Sequence, residues 1–203
     1  MSGTLFIISA PSGAGKTSLL TKLVQEQTNI RTSVSHTTRA KRHGEQNGID
    51  YHFTSIEAFQ KMVNEAAFLE QAEVFGNYYG TEEAWVDAQL SQNMDIVLEI
   101  DWQGAQQVRR LKPEAVSIFI LPPSKETLFE RLKGRGQDDD EVIRKRMAQA
   151  EAEISHFLEY DYLVINDHFD EALKQLHAIV LSQRLKLKNQ KKKQDKLLKQ
   201  LLA

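Results

Sequence analysis

Leu5-Phe6-Ile7-Ile8-Ser9-Ala10-Pro11-Ser12-Gly13-Ala14-Gly15-Lys16-Thr17 is the stretch around which the rest of the chain is organised. A short apolar run enters a turn holding two glycines. It leaves as Thr17–Gln25, where Leu19, Leu20, Leu23 and Val24 fall on one helical stripe. Strand, glycine turn and helix, in that order, make a cradle for an anion. Gly13 and Gly15 admit positive φ and a close backbone approach, so successive N–H groups converge, and the helix opening near Lys16 adds its positive dipole end. The general phosphate-loop pattern asks for glycine, four free positions and then Gly-Lys-Ser/Thr. Gly15-Lys16-Thr17 meets the last three positions, and Ala10 stands where the first glycine would be. The alternative is a glycine turn with a chance lysine, which the flanking strand and helix argue against. A nucleoside triphosphate is therefore expected along Ala10, Pro11, Ser12, Gly13, Ala14, Gly15, Lys16 and Thr17. Lys16 would bridge its β- and γ-phosphates, and the Thr17 hydroxyl would face Mg²⁺.

Three further apolar runs, Asp95–Ile100, Val116–Leu121 and Tyr162–Ile165, are continuous rather than alternating, as befits strands of a parallel sheet covered on both faces. Helical patterns occupy Ser124–Lys133, Glu141–Tyr160 and Asp170–Leu187. Strands alternating with helices predict an α/β fold. Residues 31–80 break the rhythm: Arg31–Ser35 and Tyr51–Thr54 alternate, and the region reads as a small polar sheet inserted after the first β–α unit. Lys133–Asp140, with two glycines and a charge cluster between helices, is a candidate lid.

Composition narrows the function classes. The 203 residues are 41% hydrophobic and 27% charged, enough for one domain with a sizeable core. The absence of cysteine excludes disulfides, thiolate zinc sites and a cysteine nucleophile. No apolar run approaches the ~20 residues that span a bilayer, and Thr4–Ile8 lacks a basic leader, so a cytoplasmic setting is expected. The net charge of −2 conceals a tail that carries +7 from Arg184 onward and leaves −9 on the remainder. An exposed, partly frayed helix end accounts for that tail; contact with RNA or with another subunit is the competing account.

The acceptor side is read from two places. Asp95–Ile100 ends in carboxylates, and Glu99 and Asp101 share one face at the carboxyl edge, where open α/β sheets bind ligands. Either carboxylate suits Mg²⁺ through water or an acceptor, and capping of the next helix is the structural alternative. The inserted segment holds Ser35, Arg39, Arg42, Tyr51, Tyr79 and Thr81 near Glu70. Arginine forks and tyrosine hydroxyls in that density suit a phosphorylated acceptor with a polar head.

Taken together, the phosphate loop, Ser35-x-Thr37-Thr38-Arg39-x-x-Arg42, Phe75-Gly76-Asn77-Tyr78-Tyr79-Gly80-Thr81, Asp101-Trp102-Gln103-Gly104 and Gly134-Arg135-Gly136 resemble the guanylate kinase family over roughly residues 3–185. The resemblance implies a phosphate-loop NTPase-like three-layer sandwich with a parallel core (1–32, 82–123 and 156–185), a GMP-binding subdomain at 33–81 and a helical lid at 124–155, followed by the basic tail at 186–203. It implies transfer of the γ-phosphate of ATP to GMP, with Mg²⁺ as cofactor. Arg39, Arg42, Tyr51 and Tyr79 would hold the GMP phosphate. Ser35, Glu70, Thr81 and Asp101 would surround guanine, with Glu99 nearby and Gly80 permitting close approach. Asn166 would border the adenine of ATP. Arg135 and Arg146, then Arg131, would join Lys16 and Arg39 as catalytic cations. A carboxylate such as Glu70 can accept guanine's N1–H and N2–H₂ donors, which adenine cannot supply, and mispaired polar groups discriminate by ~10⁴ or more. No general base is needed, because the nucleophile is already an anionic phosphate oxygen.

Two competing readings remain at this stage. A phosphate-loop kinase for AMP or dTMP would share loop and lid without needing Ser35, Glu70 and Thr81 together. A non-enzymatic guanylate-kinase-like module would show damage to the loop or arginines, whereas Lys16, Thr17, Arg39, Arg42, Arg135 and Arg146 are all present. Use of dGMP, self-association and any nucleic-acid contact stay open, and no membrane contact is expected.

Overall fold

The computed structural model describes residues 3–74, 76–134 and 140–202. The apolar run Leu5–Ser9 forms strand β1, buried at every position. It is followed by helix α1 (Lys16–Glu26) and β2 (Ile30–Thr32). After the inserted region come α3 (Glu83–Ser91), β7 (Asp95–Glu99), α4 (Trp102–Leu111), β8 (Val116–Leu121), α5 (Lys125–Lys133), α6 (Asp140–Ile154), β9 (Tyr162–Ile165) and α7 (Phe169–Leu185). The strands pair all-parallel in the order β2–β7–β1–β8–β9, with Phe6 facing Val97 on one side and Val116 on the other.

Period-two alternation along β1 assigns the two faces of the sheet. Phe6 and Ile8 pack with Leu19, Leu20 and Leu23 of α1 and Leu176 and Val180 of α7. Leu5 and Ile7 pack on the opposite face with Val86 of α3 and Ala105 and Val108 of α4. Helices on both faces of a parallel sheet make three layers. Each large apolar side chain sealed there contributes about 1.5–3 kcal/mol relative to exposure. A third, smaller cluster of Leu128, Leu132 and Ala150 joins α5 to α6.

The inserted region forms its own sheet from β3 (His36–Thr37), β4 (His52–Phe53), β5 (Phe68–Val74) and β6 (Asn77–Glu82), in the order β4–β3–β6–β5. Helix α2 (Ile56–Asn64) starts at Ser55, whose side chain accepts the Ala58 N–H. It delivers Phe59 onto Phe68 and Tyr78 at ring separations of 4.6 and 5.6 Å. The small sheet is tied to the core through α4. Gln107 accepts the Gln71 backbone N–H at 3.1 Å and donates to the Gln71 carbonyl at 2.7 Å, while Leu69 enters the core beneath α3 and α4.

Three expectations are corrected. Arg31 and Thr32, read in the alternating run Arg31–Ser35 as small sheet, belong instead with Ile30 to an edge strand of the core sheet, inside the 1–32 segment assigned to the core: Ile30 is buried in the main core and pairs with Asp95. A three-residue strand is too short for its alternation to say which sheet it joins. The helix expected over Glu141–Tyr160 ends at Ile154 and tightens into a 3₁₀ turn, Ser155–Glu159, where His156 stacks on Trp102 at 3.8 Å and meets Glu159 at 2.6 Å. Finally, Arg184 is no part of an exposed tail. It donates to Asp95 (2.7 Å), Gln27 (3.0 Å) and the Thr28 carbonyl (2.8 Å), while Asp95 also accepts the Thr4 N–H at 2.7 Å. The helix ends at the extended Lys186, and two short helices, α8 (Leu187–Lys193) and α9 (Asp195–Leu201), complete the chain.

Candidate active site

The carboxyl end of β1 opens into the glycine turn. Gly13 and Gly15 both hold positive φ, 93° and 87°, the left-handed region that glycine enters freely. Between them Ala14 is sealed from solvent, and its N–H bonds the Pro11 carbonyl at 3.1 Å. The Ala14 carbonyl accepts from the side-chain amide of Asn166 at 2.7 Å, and a Cβ at Gly15 would lie 2.5 Å from that amide nitrogen. Asn166, expected beside adenine, is only 5% exposed and has its amide committed to the loop, so here it braces the phosphate cradle. Arg131, expected on the migrating phosphate, donates to the Asn166 carbonyl at 3.0 Å and does not line the cleft. The sequence distance between loop and brace explains why neither role was visible beforehand.

Lys16 and Thr17 open α1 and point at β7. The Thr17 hydroxyl donates to Glu99 at 2.6 Å, and the Lys16 ammonium lies 3.8 Å from the same oxygen. Of the two carboxylates open to the metal, Glu99 and Asp101, Asp101 was the one expected beside Thr17. In the structure Thr17 meets Glu99, whereas Asp101 caps α4, accepting the Gly104 N–H and the Gln103 amide at 3.0 Å each. Both carboxylates still line the same cleft. Hydroxyl and carboxylate oxygens beside a phosphate cradle fit Mg²⁺, which takes few protein ligands and leaves the rest of its shell to phosphate and water.

Across the cleft, Arg39 is held on three sides. It pairs with Glu45 at 2.6 Å, donates to the Ala40 carbonyl at 2.8 Å, and lies over the Tyr51 ring at 5.3 Å. Glu45 raises the Arg39 pKa further and has its own lowered by Arg39. The second Glu45 oxygen accepts the backbone N–H of Arg42 at 2.8 Å, so one carboxylate shapes the whole arginine loop. Tyr79 packs edge-on to Tyr51 at 5.9 Å. Glu45 is one site residue that sequence reasoning passed over; its signal was an acidic side chain six residues past Arg39 and three past Arg42.

Glu70 rises from β5 with 3% of its surface exposed. The Thr81 hydroxyl donates to it at 2.6 Å, and Ser35 lies 3.4 Å from that hydroxyl. Burial pushes the Glu70 carboxyl up to about 7, aided by Asp101 and opposed by Thr81. Gly104 is the counterpart on α4: a Cβ there would fall 2.4 Å from the outer Glu70 oxygen. Thr81 itself is 1% exposed and stands behind Glu70 rather than against the cleft. Gly80, expected to admit the base, instead admits the Phe68 ring, whose carbons would lie 2.9–3.1 Å from any Cβ.

One cavity of about 400 Å³ is lined by Ser12, Gly13, Gly15, Lys16 and Thr17 on one side and by Ser35, Arg39, Arg42, Tyr51, Glu70 and Tyr79 on the other. Ala10, Pro11, Glu99 and Asp101 also line it. Arg135 lies outside the described residues. Arg146 sits half-buried on α6 and does not line this cavity.

A phosphate cradle and a buried carboxylate facing one cavity are the two halves the family resemblance asks for. A family model described as guanylate kinase matches residues 2–183. The chain belongs to the guanylate kinase family. It is 58% identical over 201 residues to the guanylate kinase of Saccharophagus degradans, covering 99% of this chain and 98% of the relative. It is 57% identical over 205 residues to that of Colwellia psychrerythraea, covering 98% and 94%. Among solved structures, a guanylate kinase from Anaplasma phagocytophilum superposes with a TM-score of 0.77 at 34% identity, covering 92% of this chain and 88% of that one. The five-stranded parallel core and separate small sheet are thus the guanylate kinase fold.

Proposed function

We propose that this guanylate kinase, which converts ATP and GMP to ADP and GDP, divides its cleft between the two nucleotides. The loop Ala10–Thr17 takes the ATP phosphates, and Ser35, Arg39, Arg42, Tyr51, Glu70 and Tyr79 take GMP. The observation that carries this reading is the buried Glu70 carboxylate facing the same cavity as Lys16.

A phosphate oxygen of GMP attacks the γ-phosphorus of ATP; the new P–O bond forms as the bond to the β-phosphate oxygen breaks, and ADP carries the released electron pair. No proton has to move in that step. The protein's task is therefore placement and neutralisation. Lys16 stands at the donor phosphates, free to exchange Glu99 for them. Arg39, locked by Glu45 and Tyr51, offers its remaining N–H groups to the acceptor phosphate, and Arg42 flanks it. Glu70, when ionised, accepts guanine's N1–H and N2–H₂, while Ser35 is placed to donate to O6 or N7. Asp101 lies at the rim of the base site and, with Thr17 and Glu99, near the position for Mg²⁺. The cation, when bound, neutralises charge on the donor phosphates. Arg146 and Arg135 belong to the lid in this reading and supply positive charge as it closes. A cytoplasmic setting, where both nucleotides are at hand, goes with it; among the described residues no helix is long and apolar enough to cross a membrane.

A coupled assay with Mg-ATP and each of GMP, AMP, CMP and UMP tests the assignment. GMP is expected to turn over at least ~10³-fold more efficiently than AMP. Equal turnover of AMP would end the base-site reading, and retained activity in Lys16→Ala would end the donor-loop reading.

A further inference from the structure

Glu153, one residue from the end of α6, lines the active-site cavity together with Ser12, Gly13, Lys16, Glu99 and Asp101. Among the described residues, no other of α5 or α6 lines it. Its Oε2 is shut off from solvent and has no hydrogen-bond partner among the described residues. Burial raises its pKa, helped by the nearby Asp101 and opposed by the Lys16 ammonium and the Ser12 backbone N–H. The contact of α5 with the loop at Gly13 is apolar. Leu128 and Leu132 of α5 touch the Gly13 position, and they share a cluster with Ala150 of α6. Just beyond Glu153, the chain is fastened to the core by the His156 stack on Trp102.

Apolar contacts are indifferent to an arriving phosphate, but Glu153 is not. When ionised, its carboxylate is an anion lodged in the electrostatic field that is built for a polyphosphate. Two anions near one lysine and one set of loop amides compete for them, so the seating of Glu153 and the binding of the donor oppose each other. Glu153 rides on the helix that carries Arg146 seven residues earlier, two turns away on the same side. We propose that Glu153 is a positioning residue that holds helix α6 on the phosphate loop by an anionic contact, which the donor phosphates must replace. Donor arrival and the placement of the lid helix then become a single equilibrium. The inference rests on the donor-loop reading given above.

The test is calorimetric titration of Mg-ADP, and separately of GMP, into the full chain and into Glu153→Gln, at a pH above neutrality. Removing the charge while keeping the shape is expected to tighten ADP binding about three- to tenfold, with GMP affinity unchanged. Unchanged or weaker ADP binding overturns the proposal, as does an equal gain for GMP. Should Glu153→Gln lower the Tm appreciably, Glu153→Asp serves instead, since it keeps the charge but draws it back from the loop. ADP tighter than wild type supports the proposal, and ADP equal to wild type overturns it. Failure of the wild-type chain to bind ADP at all would remove the donor-loop reading, and this inference with it.

Discussion

The Thr81 hydroxyl donates to the Glu70 carboxylate at 2.6 Å, and both side chains are almost wholly buried beneath the cleft. That bond aims one oxygen, and the opposite oxygen fits against the bare Cα of Gly104. The carboxylate proposed to read guanine is therefore placed by two residues that do not themselves line the cleft.

Its protonation has a measurable consequence. Burial lifts the Glu70 carboxyl from 4.5 to about 7, so the neutral acid is favoured in the ligand-free fold below that pH. Guanine's donors need the ionised form. GMP affinity is expected to weaken as pH falls through about 7, and the same slope should be missing in Glu70→Gln, which serves to subtract the titration of GMP's own phosphate. The linkage runs the other way for stability. A raised folded-state pKa means that this residue's favourable contribution is complete below 4.5 and is lost as pH rises through about 7. Calorimetric GMP titrations between pH 5.5 and 8.5 check the first statement; a pH-independent difference between wild type and variant would refute it.

Gly104→Ala places a methyl group 2.4 Å from the Glu70 oxygen, against a strand that cannot yield because Gln107 clamps it. The carboxylate must move. A displacement of that order is expected to lower kcat/KM for GMP about a hundredfold with little change in KM for ATP. Equal losses for both substrates would mean that the fold, not the base site, had been damaged.

Glu45→Gln removes the charge that locks Arg39 and replaces one of the two acceptor oxygens that shape the arginine loop by a donor. The expected result is a rise of about tenfold in KM for GMP. Stability should change by only about 1 kcal/mol, the size of one neutral hydrogen bond lost. Steady-state kinetics beside a denaturant melt separates the two effects.

Asn166→Ala leaves the buried Ala14 carbonyl without its partner. A loss of about 1–3 kcal/mol in unfolding free energy is expected. KM for ATP should rise, while GMP binding is spared. An unchanged KM for ATP would show that the loop keeps its shape without the brace.

The strand–turn–helix of the phosphate loop was readable in the sequence because its chemistry is local: positive φ at two glycines, a lysine and a hydroxyl at the head of one helix. The buried strands β1, β7 and β8 were reached as well, and Glu70, proposed to read the base, was singled out through a family resemblance that rests on motifs spread along the chain. What the sequence left undecided were relationships between residues far apart in it. Ile30–Thr32 joined the core sheet, Thr17 found Glu99 rather than Asp101, and Asn166 turned out to support the loop 152 positions before it. Thr81 and Gly80 were placed at the base by motif, yet one stands behind Glu70 and the other faces Phe68. The physical reason is the same in each case. Local conformation follows from the φ/ψ limits and side-chain pattern of a few consecutive residues. Which buried polar groups satisfy one another is settled only when the sheet and helices close together, and most of the donors and acceptors they enclose must find a partner.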